Sequence, residues 1–191
     1  MDFSSSGPGN FYTEASARAG SAHTEFKSSD LRDDQNRMAS YDASSPYYGI
    51  HAGMGYVWNV TDKTLLDLHA KYFWTRQQGT SAHLSTGDPV KFKAADSQRL
   101  RLGGQMSFVV NDYVKSYGGL YWEHEFDGRA RATTYGYPIA TPKLRGDTGV
   151  GELGLSIAPA KIIPLTIDIA IQGYTGKREG VTGSLQVKYE F

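Results

Sequence analysis

Arg99 and Arg101 alternate along one stretch of the chain. Glu123 and Glu125 alternate along the next, with Asn111-Asp112 between them. If that dipeptide is a hairpin turn, the spacing sets Arg101 opposite Glu123 and Arg99 opposite Glu125 on one face. Opposed side chains of that kind interact directly, and arginine can engage a carboxylate through two parallel hydrogen bonds. The same reasoning around the last turn opposes Asp168 and Lys188. Taken together, the polar faces carry Arg18, Lys71, Arg99, Arg101 and Lys188 against Glu14, Asp67, Glu123, Glu125, Glu152, Asp168 and Glu190. These five cations and seven anions predict an ion-pair network filling a wet interior.

Other residues could do chemistry, and each has a plainer role. Gly149-Val-Gly151-Glu-Leu-Gly154 fits the spacing of a dinucleotide-binding loop, but that loop needs a strand before it and a helix after it. Here the run lies inside β-periodic sequence that ends at Pro159, where glycines ease bending and close approach. His51 and His69, with Asp67 nearby, are the residue types that ligate zinc. Their spacing is not that of a tight ligand motif, and ordinary interior hydrogen bonding suffices for them. Ser16, Ser107 and Ser156 are polar-face residues without an arguable histidine–acid pair. No catalytic residue, cofactor site or metal site is assigned.

The elements that must position these groups are strands. Eight segments alternate apolar and polar residues, at about 10–27, 46–60, 63–78, 91–111, 113–127, 144–159, 163–176 and 181–191. In the second, Tyr48, Ile50, Ala52, Met54, Tyr56 and Trp58 form one face, against Gly49, His51, Gly53 and Gly55. The third sets Leu66, Leu68, Ala70, Tyr72 and Trp74 against Asp67, His69 and Lys71. The first is the weakest, with Glu14, Ser16, Arg18 and Gly20 opposing small residues. Val57, Leu65, Phe73, Tyr117 and Tyr121 fall on the polar face, while Arg76 and His124 fall on the apolar one.

Formal net charge is zero across 191 residues, which gives no electrostatic footprint for nucleic acid. Hydrophobic residues make up 39%, with no long apolar run, so a helical membrane protein is excluded. There is no cysteine, hence no disulfide framework. Met1-Asp-Phe-Ser-Ser-Ser lacks the features of a signal peptide, which predicts that an exported chain of this kind is part of a longer one.

Alternation alone fits a soluble sandwich as well as a membrane barrel. Connection lengths separate them. Connections near Thr61-Asp62, Asn111-Asp112 and Ala160-Lys161 are short, and those between are long, which is the outer-membrane pattern. Tyr56, Trp58, Phe108, Tyr189 and Phe191 then lie near the short-turn rim. Tyr48, Trp74, Trp122 and Phe126 lie near the long-loop rim, giving two aromatic girdles. The fold expected is all-β: an antiparallel transmembrane barrel of the bacterial outer membrane.

Several stretches carry a family resemblance: Phe11-Tyr-Thr-Glu-Ala-Ser-Ala-Arg-Ala-Gly20, Ser97-Gln-Arg-Leu-Arg-Leu-Gly-Gly104 and Gly118-Gly-Leu-Tyr-Trp-Glu-His-Glu-Phe-Asp-Gly128. To these are added Gly146-Asp-Thr-Gly-Val-Gly-Glu-Leu-Gly154 and Gly173-Tyr-Thr-Gly-Lys-Arg-Glu-Gly180, running into the terminal Phe191. In order and spacing the chain resembles the C-terminal translocator barrel of autotransporters, the type V secretion systems. The resemblance implies a barrel that anchors and helps export an N-terminal passenger in cis, in contact with outer-membrane lipid. It implies insertion by the barrel assembly machinery with periplasmic chaperones. The assembly signal carries over to Leu185, Val187, Tyr189 and Phe191. Barrels of that family have twelve strands and a helix in the lumen. About eight strands are present here, so residues 1–191 read as the C-terminal portion. The polar lining would let an unfolded passenger slide without sticking. The alternative is a self-contained eight-stranded outer-membrane protein whose loops 28–45 and 128–143 bind partners, although its glycine-rich inner face would be under-filled. A lipid-modifying enzyme would need a nucleophile and base that the sequence does not supply.

Overall fold

The computed structural model describes residues 9–141, 143–159 and 164–189. Strands dominate, and no helix occurs among the described residues. Eight of them form one antiparallel sheet: β1 (Asn10–Arg32), β2 (Met38–Thr61), β3 (Thr64–Gln77), β6 (Ala95–Val109), β7 (Val114–Glu125), β10 (Gly146–Ile157), β11 (Leu165–Gly176) and β12 (Gly180–Tyr189). Each pairs with the next in that order. Four short strands, β4 (Thr80–His83), β5 (Pro89–Phe92), β8 (Ala132–Thr134) and β9 (Tyr137–Ile139), make a second sheet.

The main sheet is a curled half-barrel with its apolar side outward. Leu120, Leu153 and Leu185 are 77%, 67% and 69% exposed, whereas Glu123 is 1% exposed. A water-soluble protein would reverse that order. Apolar side chains left bare on the convex side belong against lipid, with the charges on the concave side, as in transmembrane barrels. The girdle aromatics among the described residues lie on the convex side too. Tyr48 meets Trp74 edge-on at 5.6 Å, and Phe11 meets Tyr56 at 4.7 Å. The two polar residues on the apolar side are paired at the upper rim: Arg76 with Asp96 at 3.1 Å, and His124 with Asp147 at 2.8 Å.

Glycines on the concave side of β2 explain how the first three strands lock together. Gly49, Gly53 and Gly55 pair with Arg18, Glu14 and Tyr12 of β1, and with Thr75, Lys71 and His69 of β3. With no side chain between, β1 reaches across β2. Arg18 donates to Thr75 Oγ1 at 2.6 Å, Lys71 Nζ meets Glu14 at 2.8 Å, and Tyr12 donates to Asp67 at 3.0 Å. The aromatic exceptions are the fillers. Tyr121 lies over Gly103 and Gly119, and Tyr117 over Gly154. Rings thus lie over several of the glycines of the concave face.

A Cβ on Gly55 would lie 2.5 Å from the Tyr12 ring. Gly55→Val is expected to expel that ring, break its bond to Asp67 and cost about 1–3 kcal/mol, as overpacking does. Tyr12→Ala in the Gly55→Val background should recover part of the loss. Heat-modifiable gel mobility of the two variants checks both statements.

Three boundary expectations need correction. The first two strands run well past the predicted 27 and 46, as a long hairpin closed at Asp33–Arg37, so most of the expected loop 28–45 is ladder. Asp33 caps the turn: the Arg37 amide, above all, and its guanidinium hold the carboxyl below the ordinary range. That contribution is present above the unfolded-state value and is lost as pH falls through the lowered one. Residues 91–92, expected in the fourth strand, belong to β5 instead. The long loops 79–94 and 126–145 supply the second sheet, which packs small apolar residues (Ala82, Val90 and Ala132) beside Ala39 of β2. Ser85 ties it to β2 through Ser40 and Met38. Its hairpin β8–β9 turns at Tyr135-Gly136, both at positive φ, 48° and 85°. These strands are three or four residues long and lack a long alternating run, so periodicity does not reveal them.

Candidate functional site on the concave face

β6 and β7 turn where Asn111 Oδ1 accepts the amides of Tyr113 and Val114 at 2.9 and 3.0 Å. That turn sets the register in which Arg101 opposes Glu123 and Arg99 opposes Glu125. The pairing of side chains is less symmetrical than the register. Arg101 Nε and Nη2 reach Glu123 Oε1 at 2.6 and 2.5 Å. Arg99 also turns toward Glu123, with Nη1 3.6 Å from Oε2. Glu125 instead accepts from Ser97 Oγ at 2.6 Å and from the Gln98 amide at 2.7 Å.

Arg178, on the β11–β12 turn, completes the cluster by reaching over β10 to Glu123 Oε2. Sequence reasoning misses it because a turn residue has no face to be read from alternation. Three guanidiniums thus surround one buried carboxylate. Each also lies over a ring: Arg99 over Phe73 at 5.5 Å, Arg101 over Tyr121 at 5.0 Å and Arg178 over Tyr174 at 4.9 Å. Cation–π attraction of this kind holds an arginine in place when it is partly desolvated. Burial, then the charges of Arg99 and Arg101, pull the Arg178 guanidinium down to about 10.

Asp168 and Lys188 are joined, but not as predicted. The register opposes Asp168 to Gln186 and Thr166 to Lys188, a shift of two residues. Lys188 Nζ reaches Asp168 Oδ2 diagonally at 2.9 Å. The hairpin turns about Lys177 and not Arg178, and moving a turn by one residue displaces the register by two. Residues 160–163, Glu190 and Phe191 lie outside the described residues. Of the expected assembly signal, Leu185, Val187 and Tyr189 are exposed on the convex side of β12.

The candidate zinc residues are not brought together. His51 is held by Glu14 at 2.8 Å and Ser16 at 3.0 Å and stacks on Phe73. His69 stacks on Tyr121, with Nδ1 3.6 Å from Asp67. A different trio, His23, Glu25 and Asp42, lies close together on the exposed β1–β2 hairpin, where His23 bridges both carboxylates. The Gly149–Gly154 run lies within β10, with no helix following among the described residues. Ser16 and Ser107 stay on the polar face as lining groups, and Ser156 shares the Asp168 row.

The arrangement is a charged, hydrogen-bonded lining on one side of a wall whose other side is apolar. It offers ion pairing and wetting along its length. The sequence model described as the autotransporter beta-domain matches residues 3–169. No curated protein matches the chain. An all-β curled sheet, charges inward, apolar residues outward and a match over most of the length converge: the chain belongs to the autotransporter beta-domain family, whose members are translocator barrels of the bacterial outer membrane.

Proposed function

We propose that this chain is the C-terminal portion of a translocator that anchors an autotransporter in the outer membrane and supports export and surface display of a passenger carried in cis. The observation that carries the reading is the sidedness of the wall, with a hydrogen-bonded charged lining backed by bare leucine and isoleucine. A polar lining gives an unfolded chain nothing apolar to adhere to. Display is tested in the full-length parent by protease accessibility of the passenger on intact cells. Passenger retained inside cells whose barrel has folded would count against export.

Among the described residues, β1 of the main sheet pairs only with β2, and β12 only with β11. Open strand edges are not tolerated in hydrocarbon. The proposed completion is by further strands of the same polypeptide preceding β1. The rival is closure of β12 on β1 as an eight-stranded barrel, which would make the outer sheet a partner-binding surface. These 191 residues contain no cysteine, so Thr13→Cys with Leu185→Cys, in a parent whose other segments are also free of cysteine, gives the test. No disulfide is expected in the full-length protein, and efficient cross-linking would favour the rival.

The last strand is proposed as the segment read by the barrel assembly machinery after periplasmic chaperones deliver the chain, with Leu185, Val187, Tyr189 and Phe191 as the readable side chains. Strand addition to a partner reads alternate side chains in this way. Deleting Phe191 should impair insertion more than it impairs the stability of barrels already folded. Phe108→Ala, a girdle change away from the terminus, is the comparison. Equal assembly defects in the two would remove the case for a terminal signal.

A further inference from the structure

The upper part of the β1–β2 hairpin carries polar side chains on the opposite side of the sheet from the arginine cluster. His23, Glu25, Asp42 and Ser44 share the face of Ile50 and Met54, the convex one. They lie beyond the upper girdle. His23 is four residues past Ala19, the partner of Tyr48. At the strand rise that is about 13 Å along β1. Phe26 and Tyr41 point the other way, where they stack on each other and Tyr41 meets Phe92 of the outer sheet. The outer sheet thus covers the concave side at this height. His23, Glu25 and Asp42 stay open to the medium, with side chains 53%, 78% and 66% exposed.

The register sets Glu25 directly opposite Asp42. Like charges so placed repel each other. Lys27, two residues further along that face, opposes Ser40 and makes no ion pair among the described residues. His23 Nε2 stands between the two carboxylates, 3.4 Å from Glu25 Oε1 and 3.3 Å from Asp42 Oδ2. Its other ring nitrogen, Nδ1, is 3.0 Å from Ser44 Oγ. Metal-ligating histidines are oriented by such a bond at the second nitrogen. When Nδ1 donates to Ser44, Nε2 turns a lone pair toward the same point as the carboxylates. Zinc bonds of about 2.0–2.2 Å in a tetrahedron put ligand atoms about 3.3–3.6 Å apart. Two of the three separations already have that length, and all three atoms lie within 4.8 Å of one another.

We infer that His23, Glu25 and Asp42 bind a divalent transition-metal cation of the zinc class, which bridges β1 and β2 above the membrane and keeps its fourth position open to water. The cation removes the repulsion between the opposed carboxylates by standing between them. Imidazole selects such a metal over Mg²⁺ and Ca²⁺, which prefer ligand sets made of oxygen alone. The rival is a proton on Nε2, with the ring pairing to both carboxylates and no metal bound. The inference goes beyond the translocator reading and is tested without any passenger reaching the surface.

The test uses the full-length parent, purified without a polyhistidine tag, folded in detergent and stripped of metal with a chelator. Zn²⁺ is titrated by calorimetry, and folding is followed by heat-modifiable mobility. Saturable binding is expected, and about a hundredfold excess of Mg²⁺ or Ca²⁺ should leave it in place. His23→Gln and Asp42→Asn should each weaken it by about tenfold or more, since a direct ligand is worth at least as much as the groups that orient one. Both side chains are more than half exposed, so the variants should fold as the parent does. In the parent itself, Zn²⁺ should slow carbethoxylation of His23 by diethyl pyrocarbonate, mapped by mass spectrometry, a readout that needs no variant. Absence of saturable binding, displacement by Mg²⁺ or Ca²⁺, an affinity unchanged in folded His23→Gln, or unslowed modification of His23 overturns the inference in favour of the proton. Each of these outcomes leaves the translocator reading standing.

Discussion

Glu123→Gln should be among the most damaging single substitutions in the wall. The glutamate is fully buried, and Arg99, Arg101 and Arg178 all converge on it. Removing one partner of a buried ion pair costs about 3–5 kcal/mol, because the remaining charge keeps its desolvation penalty. Here three guanidiniums lose their common counter-charge. Glu152→Gln is the control. Its partners are the neutral Tyr121 hydroxyl and Gln172 amide, at 2.8 and 3.0 Å, so the expected loss is about 1 kcal/mol. Urea titration of the refolded full-length barrel in detergent measures both. Losses of similar size would mean that the arginines do not depend on Glu123. Adding Arg178→Gln to Glu123→Gln should recover part of the loss, since the two residues are coupled and their effects will not add.

A second large effect is expected on the other side of the same strands. Leu153 projects from the convex face near mid-strand, 67% exposed. In water, Leu153→Arg would be nearly neutral. Against hydrocarbon, an arginine at the bilayer midplane costs about 2–4 kcal/mol. Gln105→Arg, on the concave face, should be tolerated. The comparison is made on barrels refolded into lipid vesicles. Equal tolerance of both changes would mean that the convex face is not lipid-covered.

Much of this architecture is legible in the amino-acid sequence. Alternation identifies all eight long strands, the first least clearly, because a half-barrel with one apolar and one polar side imposes period two on every crossing. Asn111-Asp112 is enough to place Arg101 opposite Glu123, since a short turn leaves few registers. The same logic misplaces Lys188 by two residues at the last hairpin, where the turn centres one residue earlier than the spacing suggests. Phe73, Tyr117 and Tyr121 look like errors in the alternation. They are rings that fill the concave face, and only the cross-strand register shows that Tyr117 and Tyr121 cover glycines. Arg178 escapes for another reason. It lies outside any strand, and its partner is 55 positions earlier in sequence. The small outer sheet depends on contacts between two separate loops and has no local signature.

The β8–β9 turn carries a practical corollary. Tyr135 and Gly136 lie at the tip of a hairpin in the outer sheet, and nothing lies within 4 Å of where a Gly136 side chain would begin. The hairpin is carried by β5, whose other edge pairs with β4, and neither touches the arginine cluster. Exposed loop tips of this kind accept insertions well. An epitope or affinity tag spliced between Tyr135 and Gly136 would therefore display itself on living cells without entering the pore, giving a label for counting assembled molecules whatever cargo they carry.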